Sequence, residues 1–435
     1  LGPGRRIART VDKFVIKGPK VLKGTIEAGG SKNAALPIMF ATLLAEGRHS
    51  VRGVPRLADM EFSQRMLLHF GCPVEQRFHK SYGADWTVDA TRITSSEAPY
   101  DYVRKMRASF FCMGPLLART GRARVSLPGG CAIGARPIDL HLMALEKLGA
   151  DITQTNGYAE ASCNGRLRGG KVIFPKVSVG ATENALMAAV LAQGTSVIEN
   201  AAREPEIQSL ARALRGMGAQ ISGEGTSTIE VQGVEKLRPM DFTIPPDRIE
   251  VATYLIGAQM SGGDVTVKGA APEDMELVLH MLEETGATVE RGADYVRVIG
   301  SAKIRPVDVT TAPFPGFPTD VQAQWITLMT QAEGDSLVTE TIFENRFMHV
   351  PELVRMGADL TVSGSTVRIK GKRGTLHGAP VMATDLRASA SLVLAACVAT
   401  GESQIRRIYH LDRGYETMEH KLEALGADVD RQTDS

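Results

Sequence analysis

The chain repeats itself six times, and any fold must accommodate that repetition. Six segments, 66–71, 142–150, 210–219, 277–287, 352–358 and 421–427, each read as an amphipathic helix closed by glycine and usually alanine. The closing residues are Gly71, Gly149, Gly218, Gly286, Gly357 and Gly426, spaced 68 to 78 residues apart. A glycine just past the last turn is the usual left-handed helix stop. A second helix series precedes the first, over 34–46, 108–120, 181–193, 249–261, 321–333 and 388–400, and ends at Gly47, Gly121, Gly194, Gly262, Gly334 and Gly401. These segments are rich in small residues and nearly uncharged, and a helix apolar on almost every face is a buried one. β-like runs such as Asp294-Tyr295-Val296-Arg297-Val298 and Thr366-Val367-Arg368-Ile369 follow most of the amphipathic helices. Each unit therefore reads buried helix, strand, outer helix, strand, and the fold class is α/β. The period exceeds the roughly 20–50 residues of solenoids, which favours closed lobes over an open array.

Composition excludes several partners. Of 435 residues, Lys+Arg number 50 and Asp+Glu 49, for a net charge of +1. That balance argues against a duplex nucleic acid or an anionic membrane. The longest strongly apolar stretch, 389–398, is too short to span a bilayer. Residues 1–11, opening Leu1-Gly2-Pro3-Gly4-Arg5-Arg6, have no apolar signal core and read as a tag or disordered end. The five cysteines, Cys72, Cys112, Cys131, Cys163 and Cys397, form no CxxC pattern and suit a reducing cytoplasm. The nine histidines show no metal-ligand spacing. No GxGxxG follows a strand, so a dinucleotide cofactor is not indicated.

Fourteen residues before each glycine that closes a buried helix stand Asn33, Arg107, Gly180, Arg248, Asp320 and Arg387, with Lys32 beside Asn33. A base in a first helical turn costs roughly 0.3–1 kcal/mol against the positive end of the dipole. Recurrence of bases there points to an anion site made by helix ends and guanidinium groups together. The plain alternative is arginines exposed at helix starts. Asp320 also suits an N-cap, since Pro318-Thr319-Asp320 opens its helix.

One repeat departs from its siblings. From the first closing glycine to the second, the repeats run 24, 28, 24, 24, 23 and 25 residues. The extra residues of the second fall around Leu127-Pro128-Gly129-Gly130-Cys131-Ala132-Ile133-Gly134-Ala135-Arg136-Pro137. Pro137 suits a first helical turn. Loop insertions on a repeated scaffold tend to carry function. Cys131, five residues before Arg136, is thus a candidate nucleophile or acid, against the alternative of an inert loop cysteine.

With these residues in view, the chain resembles the UDP-N-acetylglucosamine 1-carboxyvinyltransferases, a family of enolpyruvyl transferases. The resemblance runs from about residue 12 to 430. It rests on Gly30-Ser31-Lys32-Asn33-Ala34-Ala35-Leu36-Pro37, Met106-Arg107-Ala108-Ser109, the Pro-Gly-Gly-Cys loop and Lys176-Val177-Ser178-Val179-Gly180-Ala181-Thr182. Further matches are Phe317-Pro318-Thr319-Asp320, Phe343-Glu344-Asn345-Arg346-Phe347-Met348-His349, Thr384-Asp385-Leu386-Arg387-Ala388-Ser389 and Asp412-Arg413-Gly414-Tyr415-Glu416. The resemblance implies a two-lobed inside-out α/β barrel with three repeats per lobe. The lobes would be 34–245, and 12–33 plus 246–435, with crossings near 31–34 and 244–247. The N-terminal strand would join the C-terminal lobe, and helix N-termini of both lobes would converge.

The implied reaction moves the enolpyruvyl group of phosphoenolpyruvate to the 3-hydroxyl of UDP-N-acetylglucosamine and releases phosphate, by addition then elimination. It is the first committed step of bacterial peptidoglycan synthesis, hence of wall growth, cell shape and division. It takes place in the cytoplasm and needs no cofactor or metal. By resemblance, Cys131 is the acid and can form an adduct with phosphoenolpyruvate, and Asp320 is the base toward the sugar hydroxyl. Lys32, Arg136 and Arg413 would hold phosphoenolpyruvate, Asn33 stands beside them, and Arg387 and Arg346 fit the cationic shell. The nucleotide sugar would meet Arg107, the run Arg136, Pro137, Ile138, Asp139 and Leu140, the run Lys176, Val177, Ser178 and Val179, Asp320, and the backbone near Ile342. Fosfomycin, which alkylates the matching cysteine in the family, would act on Cys131. Three departures stand out: Ala58 where many members have lysine, Phe111 where some have tryptophan, and a longer stretch over 77–85. Two other readings are weighed. The shikimate 3-phosphate transferases share the six repeats and a Ser-Lys pair but lack the Pro-Gly-Gly-Cys loop. A non-catalytic UDP-sugar-binding regulatory paralogue would be favoured by loss of Cys131 or Asp320, and both are present.

Overall fold

The computed structural model describes residues 11–103, 107–127 and 138–434. The chain forms two compact units. One comprises Gly29–Asp247 with Pro313–Gly316, the other Leu1–Ala28, Arg248–Ala312 and Phe317–Ser435. Each has an apolar core of its own.

The buried helices sit inside these cores. In the first unit they are Lys32–Ala41, Met113–Thr120 with the 3-10 turn Arg107–Cys112 before it, and Val179–Ala189. In the second they are Arg248–Ser261, Gln322–Met329 with the 3-10 turn Thr319–Val321 before it, and Leu386–Val398. Residues 249–261 are buried on every face, as a uniformly apolar sequence requires. The six outer helices are Ala58–His69, Asp139–Lys147, Pro205–Gly216, Glu276–Glu284, Val350–Arg355 and Met418–Ala424. All twelve closing glycines have positive φ, from 68° at Gly262 to 140° at Gly334. Every outer helix ends in the paired bonds of a Schellman stop. In the second repeat, for example, Ala150 N–H donates to Leu145 O and Gly149 N–H to Glu146 O.

The sheets correct the simple repeat. What reads as one strand after each outer helix is a hairpin, followed by a short strand that leaves its own repeat. Thus Asp151–Thr155 and Tyr158–Ser162 form a hairpin on Arg122–Ser126, and Lys171–Ile173 pairs in parallel with Thr195–Glu199 of the next repeat. Glu97–Ala98 likewise feeds Arg122–Ser126, and Asp241–Thr243 returns to Arg48–Val54, so three four-stranded sheets close a ring around the inner helices. The first unit is therefore a closed inside-out α/β barrel. Two features hide these strands in the sequence. Several outer strands, such as Asp151–Thr155, face solvent on nearly every residue, and the connecting strands are two or three residues long. Neither can show the alternation of a half-buried strand.

The second unit closes in the same way, but with the N-terminus. Val11–Gly18 pairs antiparallel with both Gly401–Arg406 and Asp428–Asp434, supplying the missing hairpin strand of the sixth repeat. Lys23–Glu27 then pairs in parallel with Asp264–Lys268 of the fourth. The longer stretch at 77–85 is a hairpin between Val74–Phe78 and Ala84–Asp89, where Arg56 donates to Ser81 O at 2.7 Å. Among the described residues, no helix is long and apolar enough to cross a membrane.

Candidate active site

The aligned positions fall where the count places them, at the starts of the inner helices. In the first unit Lys32 and Asn33 open Lys32–Ala41, whose N-cap Ser31 accepts from Ala34 N–H at 3.3 Å. Lys32 is tied down on two sides. Its Nζ lies 3.3 Å from Asp59 Oδ2, and its backbone N–H points at Asp247 Oδ2. Asp59 follows Ala58, one of the departures from the family pattern, at the start of an outer helix. Arg107 opens its 3-10 turn. Its side chain, and all of Cys131, Arg136 and Pro137, lie outside the described residues.

The two runs expected to meet the nucleotide sugar are brought onto neighbouring elements. Ile138 is the N-cap of Asp139–Lys147, with Asp139 exposed and Leu140 half-buried. Lys176 is exposed, Val177 half-buried, and Ser178 caps Val179–Ala189 by accepting from Ala181 N–H at 3.3 Å. A residue that sequence reasoning missed joins them. Asn184, fully buried, accepts from Gly114 N–H at 2.9 Å, donates to Phe110 O at 3.0 Å and meets His141 Nδ1 at 2.8 Å. One amide thus locks together the elements that carry Arg107, Ile138–Leu140 and Ser178. Gly180 allows the close approach: a Cβ there would lie 3.1 Å from both His141 and Phe111.

In the second unit the cationic positions converge on Asp320. Arg346 Nη2 donates to Oδ1 at 2.7 Å, and Arg387 donates to Oδ2 from Nε at 3.3 Å and Nη2 at 3.1 Å. Asp320 is 25% exposed, against 6% for Arg346 and 3% for Arg387, so the carboxylate faces outward from a buried cationic base. This replaces the N-cap expectation. The caps of the 3-10 turn and of the helix are Pro318 and Val321, with no side-chain cap bond. The helix bearing Arg387 has its own anion at the N-terminus, since Asp385 Oδ1 accepts from Arg387 N–H at 2.9 Å and Ala388 N–H at 3.0 Å. That end of the dipole is already satisfied by the chain.

Arg413 ends the 3-10 turn Ile408–Arg413 and is half-buried. Gly414 sets that turn against Leu386, where a Cβ would come 2.5 Å from Cδ2. Burial, then Arg407 and Arg413, pull the His410 imidazole below its ordinary range, with Asp385 opposing. His349 is fully buried and held down to about 4 by burial, with Asp385 and Arg346 pulling in opposite directions. Ile342 is 37% exposed on the loop after Gly334–Thr339. A second residue missed in the sequence, Glu340, anchors that loop: Oε1 accepts from Ile342 N–H at 2.7 Å and Phe343 N–H at 3.1 Å.

The other cysteines are poor nucleophiles. Burial pushes the Cys72 thiol up to about 11 and Cys397 up to about 12, and raises Cys112 and Cys163 as well. Among the described residues, no group of histidines, cysteines and carboxylates is arranged to hold a metal ion.

Over residues 16–422 the chain matches the EPSP synthase (3-phosphoshikimate 1-carboxyvinyltransferase) family. The UDP-N-acetylglucosamine 1-carboxyvinyltransferase of Myxococcus xanthus is 52% identical over 427 residues, covering 97% of this chain and 100% of that protein. Those of Enterobacter cloacae and Bdellovibrio bacteriovorus are 51% and 53% identical, over 97% and 96% of this chain and 99% and 100% of theirs. Among solved structures, the enolpyruvyl transferase NikO from Streptomyces tendae superposes with a TM-score of 0.85 at 26% identity, covering 98% of this chain and all of that one. EPSP synthase from Acinetobacter baumannii, at 20% identity and a TM-score of 0.74 over 98% of this chain and all of that one, shares the fold.

Proposed function

The chain belongs to the enolpyruvyl transferase family, within the UDP-N-acetylglucosamine 1-carboxyvinyltransferases, and from that premise we propose the reaction it carries out and the residues that perform it. It transfers the enolpyruvyl group of phosphoenolpyruvate to the 3-hydroxyl of UDP-N-acetylglucosamine in peptidoglycan synthesis. The methylene carbon of phosphoenolpyruvate gains a proton, and the sugar oxygen attacks the neighbouring carbon to give a tetrahedral ketal phosphate. Loss of a methyl proton and of phosphate then leaves the enolpyruvyl ether. Such a path needs an acid, a base, and cations for the phosphate and carboxylate charges.

The observation that carries the assignment of the base is the Asp320 carboxylate, outward-facing on buried Arg346 and Arg387. The arginines fix its direction, and its own exposure leaves it reachable by a substrate hydroxyl. Asp320 takes the sugar proton. Cys131 gives the proton to the methylene carbon and can hold phosphoenolpyruvate covalently. Lys32, Asn33, Arg136 and Arg413 hold phosphoenolpyruvate, with Arg346 and Arg387 behind the base. Arg107, Arg136 to Leu140, Lys176 to Val179 and the backbone near Ile342 take the nucleotide sugar. The reading carries a bacterial cytoplasmic location, supported by the free thiols of Cys72, Cys112, Cys163 and Cys397.

Intact mass before and after fosfomycin, with and without UDP-N-acetylglucosamine, followed by peptide mapping, tests the catalytic assignment. A single adduct on Cys131, formed faster with the nucleotide sugar, is the expected result. No adduct, or labelling spread over several cysteines, would turn the protein into a silent binder of the sugar.

A further inference from the structure

Glu340 lies at the end of the strand Gly334–Thr339 and is 2% exposed. A buried carboxylate needs donors on both oxygens. Oε1 has three: Thr311 Oγ1 at 2.9 Å and the N–H groups of Ile342 and Phe343. Oε2 takes the hydroxyl of Thr319 at 2.7 Å. A hydroxyl has one proton, and Thr319 gives it to Glu340, so its lone pairs are turned to Arg346, whose Nη1 donates at 2.6 Å. The other end of that guanidinium, Nη2, donates to Asp320 Oδ1. Arg346 also lies over the Phe343 ring, with Cζ 5.1 Å from the centroid. The contacts close a circuit: Glu340 to the 342–343 backbone, Phe343 to Arg346, Arg346 to Thr319 and Asp320, and Thr319 back to Glu340.

We propose that Glu340 and Thr319 form a positioning relay that couples the 342–343 backbone to the orientation of the Asp320 carboxylate. It rests on the reading of Asp320 as base and of the backbone near Ile342 as a contact of the nucleotide sugar. Neither residue needs to touch substrate. The Thr319 hydroxyl has a fixed polarity because Glu340 accepts its proton, and only that polarity presents an acceptor to Arg346. Two-point anchoring on the consecutive residues Thr319 and Asp320 then fixes the guanidinium plane, and with it the carboxylate. Substrate bound against the 342–343 backbone would press on the same circuit and set the base as the sugar hydroxyl arrives.

Steady-state kinetics of Thr319→Val and Thr319→Ser, with Glu340→Gln, the Thr319→Val/Glu340→Gln double variant and Asp320→Asn alongside, tests the relay. Thr319→Val keeps the side-chain shape and leaves the three Oε1 bonds, two from the loop and one from Thr311, untouched. Its kcat is expected to fall about tenfold to a hundredfold, the size of effect a misplaced catalytic group gives, while KM for UDP-N-acetylglucosamine moves less than about threefold. Thr319→Ser, which keeps the hydroxyl, restores kcat to within about threefold of wild type. The double variant loses no more than the worse single variant, because both break one chain. Equal kcat in Thr319→Val and wild type, equal loss in the valine and serine variants, or additive losses in the double variant would overturn the relay. Asp320→Asn separates this from the reading beneath it. If that variant keeps wild-type kcat, Asp320 is not the base and the relay falls with it. If it is inactive while both Thr319 variants match wild type, the relay alone is overturned.

Discussion

Arg387 grips one carboxylate oxygen of Asp320 from two nitrogens, Nε at 3.3 Å and Nη2 at 3.1 Å. The two residues hold equivalent places in consecutive repeats, each at the start of an inner helix. Three repeats closed around their helices bring such positions together, so a contact between residues 67 apart in sequence follows from the symmetry of the fold. The exposed member of the pair is the acid, in keeping with its proposed role as base and with the arginine as its support.

Removing that charge separates catalysis from binding. Asp320→Asn keeps the side-chain shape but accepts no proton, and it sets an NH2 donor against one of the two guanidinium groups. Turnover is expected to fall by about 10²-fold or more, the range of a lost general base. Steady-state phosphate release checks it, and a loss under about tenfold would take proton transfer away from Asp320.

Cys131 carries a second expectation. Cationic surroundings favour thiolate, while bound phosphoenolpyruvate, an anion, favours the protonated thiol that an acid must be. The midpoint of alkylation rate against pH is therefore expected to lie below that of an ordinary thiol in the free enzyme and to rise with ligand bound. The four described cysteines do not confuse the measurement, since their thiols are raised. Identical midpoints with and without ligand would contradict it.

Two buried histidines give the protein an acid-sensitive stability. Burial holds His49 and His349 down to about 4, against an ordinary 6.5. Between those values the unfolded chain binds the extra protons, so stability rises with pH across the window and is lost as pH falls from 6.5 toward 4. Each histidine accounts for at most about 3 kcal/mol. His49 accepts from Met240 N–H and donates to Ala45 O, bonds that a glutamine can mimic. Denaturant midpoints of His49→Gln across this window are expected to fall less steeply than wild type, and an unchanged slope would refute the assignment.

A stability test comes from a buried ion pair of the second unit. Lys421 and Glu250 are 0% and 4% exposed and meet at 2.7 Å, with the ammonium 5.9 Å from the Tyr254 ring centroid. Lys421→Met takes away the ammonium 2.7 Å from a buried carboxylate and is expected to cost about 3–5 kcal/mol. Adding Glu250→Leu removes that buried carboxylate as well and is expected to recover most of it. Urea denaturation of the single and double variants decides, and a double variant no better than the single would contradict this account.

The inner and outer helices were legible in the sequence because glycine stops and apolar patterning are local signals, and all twelve glycines lie at positive φ. Helix starts were less so. The 3-10 turns Arg107–Cys112 and Thr319–Val321 have no local code that separates them from the helices they precede. The connecting strands Glu97–Ala98 and Val309–Thr310 exist only because a partner from the next repeat is present. The same division holds at the site. Asn33, Asp320 and Arg387 share one register of the repeat, with Lys32 beside Asn33, and could be counted out. Glu340 and Asn184 could not, because their roles are made by tertiary hydrogen bonds to Thr319, Gly114 and His141.

Transfer to a nucleotide sugar is decided by phosphate release from phosphoenolpyruvate, measured with UDP-N-acetylglucosamine, with shikimate 3-phosphate and with no acceptor. Release is expected only with UDP-N-acetylglucosamine, matched mole for mole by its enolpyruvyl ether. Release with shikimate 3-phosphate instead, or with neither acceptor, would contradict it.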